Sequence, residues 1–198
     1  NPAYLSGSLE RQGYTKARDL ISYRYDGSDK DRQACPSILE RPEWRERLNI
    51  RTLDLKNLGK EAAIIVDIFN DAWSENWGFV PFTLAEFMSS ADALKMVMPP
   101  EGGFMIELDG VPQAFGVILP NLHEITADLG GRLFPLGLPR VVWRIRKHAF
   151  TSGRLALFGI RRALHRKAAG GAVILAFIEE IRRRNKSSSL GHLEFGWV

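Results

Sequence analysis

The stretch Lys167-Ala168-Ala169-Gly170-Gly171-Ala172 has the composition of an anion cradle. It follows the cations Arg161, Arg162, His165 and Arg166, and it opens an apolar helical run that ends in Arg182-Arg183-Arg184. A helix start exposes up to four unpaired backbone N–H groups and about half a positive charge. Small residues there let phosphate oxygens come close to those amides. The stretch lacks the glycine spacing and Lys-Ser/Thr of a Walker loop, and the leading glycines of a dinucleotide fingerprint. A second reading therefore stands beside the first: the helix begins with small residues because it packs closely on a sheet.

Charge is distributed unevenly around this stretch. Between Leu129 and Ile178 lie 10 Lys or Arg residues and no acid, whereas all 23 acids fall elsewhere. Such a bias attracts anions without naming them. A phosphate-bearing ligand, an acidic lipid surface and nucleic acid all qualify, as does a solvated Arg-rich face.

The chain has 198 residues, 45% of them hydrophobic and 25% charged, which excludes a disordered or collagenous protein and allows an unstapled core. The single cysteine, Cys35, excludes an intrachain disulfide framework and a cysteine-type zinc site. No metal site is expected. No apolar run reaches about 18 residues, so no membrane span is expected. No signal peptide is visible in a chain that starts at Asn1, and a cytoplasmic location is expected.

The elements that must position the cradle follow from periodicity. Residues 2–12 read as a short helix stopped by Gly13, and alternation over 17–25 reads as a strand. Residues 26–46 read as a polar linker ending in a helical turn near Glu43–Arg47. A strand at 48–55 precedes an amphipathic helix at 60–75, carried by Ile64, Ile65, Ile68, Phe69, Ala72 and Trp73. Thr83 and Glu86 form a capping box that opens a helix to about Met98, stopped by Pro99-Pro100. Phe104–Leu108 and Val111–Leu119, joined by Asp109-Gly110, read as a type I′ hairpin. Residues 120–153 read as an irregular insert with a helix at 139–150. A strand at 154–160, the helix at 168–184 and a last strand at 191–198 complete an α/β layout around a mixed sheet.

The unit 154–184 resembles the coenzyme A site of the GNAT acyltransferase superfamily, whose loop reads Gln/Arg-x-x-Gly-x-Gly/Ala. Lys167, Gly170 and Ala172 occupy its first, fourth and sixth positions. A more specific resemblance, to a bacterial group of GNAT-like proteins with two related halves, spans nearly the whole chain. It is carried by Asn1-Pro2-Ala3-Tyr4, Gly13-Tyr14, Lys16-Ala17-Arg18-Asp19-Leu20, Asn70-Asp71-Ala72-Trp73, Asn76-Trp77-Gly78-Phe79-Val80-Pro81, Gly131-Arg132-Leu133-Phe134-Pro135 and Glu194-Phe195-Gly196-Trp197-Val198. The group's loop usually reads Pro-x-Tyr-Arg-Gly-x-Gly, and this chain departs from that pattern over 162–170.

The resemblance implies an α/β (α+β type) fold, a GNAT-like mixed central sheet flanked by helices, ending after its fifth strand. It implies that 1–26 is a helix-strand tail like the end of a preceding half, that 27–47 is a linker, and that 48–198 is an acyl-CoA-binding domain. The superfamily's Tyr that protonates the departing thiolate has no counterpart here. The implied activity is N-acyl transfer from acetyl-CoA or another acyl-CoA to an amine of a small molecule or peptide, by direct attack on the thioester. The alternative is an inactive GNAT-shaped binding module with a basic face for coenzyme A, nucleic acid or anionic lipid; nucleic acid is the less expected partner.

In the implied site the pantetheine arm pairs with Phe158, Gly159 and Ile160, and the pyrophosphate rests on Lys167 and on the amides of Ala168, Ala169, Gly170, Gly171 and Ala172. Gly170→Glu is then expected to abolish coenzyme A binding and leave the fold intact. Glu194, the one acid of the last strand, is the candidate base, or else a surface acid partnering an Arg. Asn121, His123 and Glu124 are candidate acceptor-site residues. Trp73, Trp77 and Phe79 read as core and loop anchors. The last strand needs a neighbour on its outer edge, supplied either by segment 1–26 or by a second copy in a homodimer.

Overall fold

The computed structural model describes residues 3–26, 37–99, 101–147, 150–187 and 190–196. Within them, α1 (Tyr4–Glu10) and β1 (Tyr23–Tyr25) precede α2 (Pro42–Arg45), β2 (Leu48–Thr52), α3 (Leu58–Trp73) and α4 (Leu84–Val97). The hairpin β3 (Gly103–Leu108) and β4 (Val111–Pro120) follows, then α5 (Leu122–Thr126), α6 (Gly137–Arg146), β5 (Ser152–Ile160), α7 (Ala168–Ser187) and β6 (His192–Phe195). Cys35, Pro100, Trp197 and Val198, like the Gly27–Arg32 run and most of the Ser187–Ser189 tract, lie outside the described residues.

The strands form one sheet in the order β1-β6-β5-β4-β3-β2. Only the β5–β6 pair is parallel, so the sheet is mixed, as the sequence predicts. Asp109 and Gly110 have φ of 52° and 77°. Both are left-handed, as a type I′ turn requires. The Arg47 guanidinium grips the Asp109 carboxylate at 2.9 and 2.7 Å. Thr83 and Glu86 make the expected reciprocal cap of α4.

Alternation along the hairpin divides the core. Phe104 and Ile106 on β3, with Ala114 and Ile118 on β4, meet Val173, Ala176 and Phe177 of α7. Met105, Phe115 and Val117 point the other way, to Ile65 and Ile68 of α3. Both sheet faces are therefore covered, which is why the hairpin strands read as continuous apolar runs.

Two long-range links close the layers. Glu180 and Arg184 of α7 pair at 2.5 Å with each side chain about 5% exposed or less. Arg184 also donates to the carbonyls of Glu101 and Gly103 and lies 5.0 Å from the Phe104 ring centre. Ile38 is buried, and its amide and the Ser37 hydroxyl both donate to Glu179 of α7. The segment read as linker thus ends in chain packed on α7.

Two expectations need revision, and a third, a covered outer edge on the last strand, is met by the first of its two alternatives. The strand read over 17–25 is limited to Tyr23–Tyr25, because the β6 it joins pairs only through Leu193–Phe195 and no buried face receives Leu20 or Ile21. The insert is helical earlier than expected, in α5 and from Gly137 in α6. The outer edge of β6 is covered from within the chain: β1 lies antiparallel on it, Arg24 opposite Glu194.

Candidate functional site

The site is built where β5 loses its partner. β6 pairs with β5 only from Ser152 to Leu155. Beyond that point Val117 opposes Leu157 while Ile118 opposes Leu155, which leaves Ala156 as the extra residue of a bulge. A bulge bends its strand and re-aims the following backbone. The second half of β5 then presents an edge that no described strand covers.

Against that edge lies an open cleft of about 760 Å³. Its walls are Phe158, Gly159 and Ile160 of β5, Ala72 and Trp73 at the end of α3, the loop Asn76–Phe79, His165, and Arg18, Asp19 and Leu20 of the N-terminal segment. The loop is held because Asn70 both donates to the Phe82 carbonyl (2.8 Å) and accepts from its amide (2.9 Å). The Trp73 indole N–H donates to the Phe158 carbonyl at 2.7 Å.

Of the three β5 residues, two face the edge. The Arg161 amide donates to Gln113 of β4 at 2.9 Å. Backbone groups alternate sides along a strand, so Gly159 also turns to β4, while Phe158 and Ile160 turn outward. Gly159 lines the cleft but does not offer its amide and carbonyl to it.

The basic run divides into two sets. Arg161 bonds Asp67 at 2.5 Å, the Arg162 amide bonds Asp71 at 2.8 Å, and the Arg162 guanidinium meets Glu75 and Ser74. These two arginines tie β5 to α3. Arg166 and Lys167 are exposed, and no described ion pair engages them. Arg166 has φ of 62°, a left-handed strain uncommon outside glycine that tends to persist at functional turns.

At the start of α7 the small residues divide: some pack closely on the fold, as the second reading has it, and the others stay exposed. Gly170 and Ala172 are buried, and Lys167, Ala168 and Gly171 are exposed, with Ala169 between. A Cβ on Gly170 would lie 2.1 Å from the Leu164 carbonyl oxygen, whereas one on Gly171 would meet nothing within 4 Å. Gly170→Glu therefore cannot leave the local fold intact, contrary to the sequence expectation. The Gly170 and Gly171 amides bond the Lys167 carbonyl (3.0 and 3.3 Å) and the Lys167 amide bonds Leu164. The amides left facing outward are those of Ala168 and Ala169.

The remaining candidates stand elsewhere. Glu194 is exposed, in register between Arg24 of β1 and Arg154 of β5, and is not on the cleft wall. The acid that lines the cleft is Asp19. Asn121 and Glu124 anchor the opposite end of β5: Asn121 donates to the Ser152 hydroxyl at 3.0 Å, and Glu124 accepts from that hydroxyl and from the Thr151 amide at 2.7 Å. Burial alone would raise the Glu124 carboxyl, but these hydrogen bonds and nearby His192 hold it below the usual range, which suits an anchor better than a base. His123 lines a separate cavity of about 500 Å³ with Thr126, Leu129, Gly131 and Leu133. Trp73 and Trp77, read as anchors, form cleft wall; the density of Asn, Trp, Gly and Phe over 70–79 was the signal for them.

Two solved structures superpose on 98% of this chain. A GCN5-related N-acetyltransferase from Sphaerobacter thermophilus does so with a TM-score of 0.56 and 16% identity, over 48% of its own chain. The fold is GNAT-like. A fungal glucosamine N-acetyltransferase region, part of a multi-domain β-N-acetylglucosaminidase, agrees at a TM-score of 0.54 and 12% identity over 20% of that chain. No protein-family model matches the sequence. Among relatives, Protein YghO of Escherichia coli strain K12 is 32% identical over 98% of this chain and 50% of its own length. A bacterial ceramide synthase of Caulobacter vibrioides is 34% identical over all of this chain and 51% of its own length. The GNAT-like chain thus spans about half the length of these relatives.

Proposed function

We propose that the chain is the acyl-CoA-binding part of an N-acyltransferase. The observation that carries the reading is the second half of β5, which no described strand covers, entered through a bulge and lining the cleft, with the exposed start of α7 a few residues on in the chain. In this reading the pantetheine arm lies along Phe158 and Ile160 as an added strand, and the pyrophosphate rests on the Ala168 and Ala169 amides beside Arg166 and Lys167. The thioester reaches the bulge at Ala156, where a strand N–H polarises its carbonyl. The amine nitrogen bonds to the carbonyl carbon, the C–S bond breaks, and the thiolate leaves to take up a proton. The amine must be neutral to attack, and Asp19 is the cleft carboxylate that can accept its proton through water. The relative named a ceramide synthase supports an acceptor that is a long-chain amine, because ceramide joins an acyl chain to an amino alcohol by an amide bond. With β1 on the outer edge of β6, the reading needs no second copy there; a cytoplasmic location belongs to the same proposal. No described helix is long and apolar enough to cross a membrane.

Thermal shift with acetyl-CoA, palmitoyl-CoA and desulfo-CoA tests binding, since a ligand of the folded state raises the melting temperature. Release of free thiol on adding a long-chain amine tests transfer. Binding without release leaves the non-catalytic module; absence of both refutes the site.

A further inference from the structure

The surface around α6 is arranged the wrong way round for water. Arg144, on one side of the helix, is turned toward the protein, where it donates to the Ile125 carbonyl at 2.6 Å and to both oxygens of Asp128. Arg140 joins the same carboxylate more loosely, at 3.4 Å. The other side presents Leu138 and Val142 to solvent, one turn apart, with Trp143 59% exposed. Just before the helix, Phe134 and Leu136 are 78% and 70% exposed. Exposed Arg132 precedes these apolar groups in the chain and exposed Arg146 and Lys147 follow them, while the nearby acid Asp128 is occupied by Arg144 on the other side of the helix. Glu124 is turned inward onto Ser152 and Thr151.

We propose that residues 131–147 dock on an anionic lipid bilayer. Large apolar side chains bordered by cations, with a Trp at the boundary, match the interfacial zone, where rings and aliphatic chains enter the acyl margin and Lys or Arg meet lipid phosphates. A nucleic-acid backbone would satisfy the cations but leave Phe134, Leu136 and Trp143 in water. A second copy related by a two-fold axis would set these cations against their own copies. The bilayer is the partner that takes both the apolar groups and the cations. The inference stands independently of the acyltransferase reading.

The test is co-sedimentation of the chain with vesicles of phosphatidylcholine alone and of phosphatidylcholine mixed with phosphatidylglycerol. The chain is expected to sediment with the mixed vesicles and not with the neutral ones, and to be released by added salt. Leu136→Asp/Trp143→Asp is expected to lower the partition coefficient about tenfold or more, since each anchor exchanges buried apolar surface for a charge. Both sites are exposed, so the melting temperature should hold. Arg146→Gln/Lys147→Gln provides a second arm that keeps every apolar contact and is expected to lower binding several-fold. Any of four results overturns the proposal: no sedimentation with mixed vesicles, equal binding to neutral ones, unchanged binding in both variants, or binding to a duplex oligonucleotide without binding to vesicles. A dimer in solution that Leu136→Asp dissolves would overturn it as well.

Discussion

Gly170 and Gly171 are neighbours in sequence, yet the structure assigns them opposite tolerances. A methyl on Gly170 would stand 2.1 Å from the Leu164 oxygen and 2.9 Å from its carbon. Unbonded heavy atoms are most favourable near roughly 3.5 Å, and the obstructing atoms are backbone, which cannot swing aside as a side chain would. Overpacking of this kind costs about 1–3 kcal/mol. Exchanging Gly for Ala in a helix returns up to about 1 kcal/mol. An overlap this deep against backbone belongs at the upper end of the overpacking range, so the net loss for Gly170→Ala is about 2 kcal/mol, a melting temperature lower by roughly 4–8 °C for a chain of this size. Gly171→Ala meets open space and is expected to melt up to roughly 4 °C higher. Gly171→Glu adds an acid where the helix dipole favours one, so the fold holds while coenzyme A affinity falls at least about tenfold. Scanning calorimetry reads the first two variants and titration calorimetry with acyl-CoA reads the third. Gly170→Ala melting at or above wild type would refute the close approach. Undiminished affinity in Gly171→Glu would refute the phosphate site.

Trp73→Phe keeps the ring but removes the indole donor from Phe158. It is expected to lower stability by about 1 kcal/mol and to tighten coenzyme A binding by freeing that carbonyl for the pantetheine amide; weaker binding in titration calorimetry would show that Trp73 holds the ligand instead. Glu180→Ala takes the carboxylate from the buried Arg184 guanidinium, which keeps only neutral acceptors such as the Glu101 and Gly103 carbonyls for its charge among the bonds described, and is expected to cost about 3 kcal/mol in urea unfolding. Hydrogen bonds from Arg144 hold the Asp128 carboxyl down from 3.8 to about 2. A depressed acid stabilises above its unfolded pKa and loses that contribution as pH falls through the folded one, so the α5–α6 contact should weaken between about pH 4 and pH 2. Amide exchange in α6 should accelerate over that window, and Asp128→Asn should show the faster exchange already at neutral pH.

What the sequence by itself determined is local. Asp109-Gly110 dictates its turn because few other pairs accept two left-handed residues in a row. Thr83 and Glu86 cap α4 across three positions, and the spacing of Ile64, Ile65, Ile68 and Phe69 marks the inner face of α3. The start of α7, where the proposed cradle lies, was legible for the same reason: helix starts are written in adjacent residues. What only the tertiary structure decided depends on partners far along the chain. The pairing of Tyr23–Tyr25 with Leu193–Phe195 limits a strand that alternation alone made longer. Asp67, Asp71 and Glu75 draw Arg161 and Arg162 away from any ligand, a division that a count of charges does not contain. Trp73 reaches Phe158 across 85 positions and becomes cleft wall. Glu194 shares its strand's alternation whichever way that strand is flanked, and only the order β1-β6-β5 places it between Arg24 and Arg154, away from the cleft. Gly170 and Gly171 look alike in sequence; the backbone of Leu164, packed under the first turn of α7, makes one of them obligatory and leaves the other free.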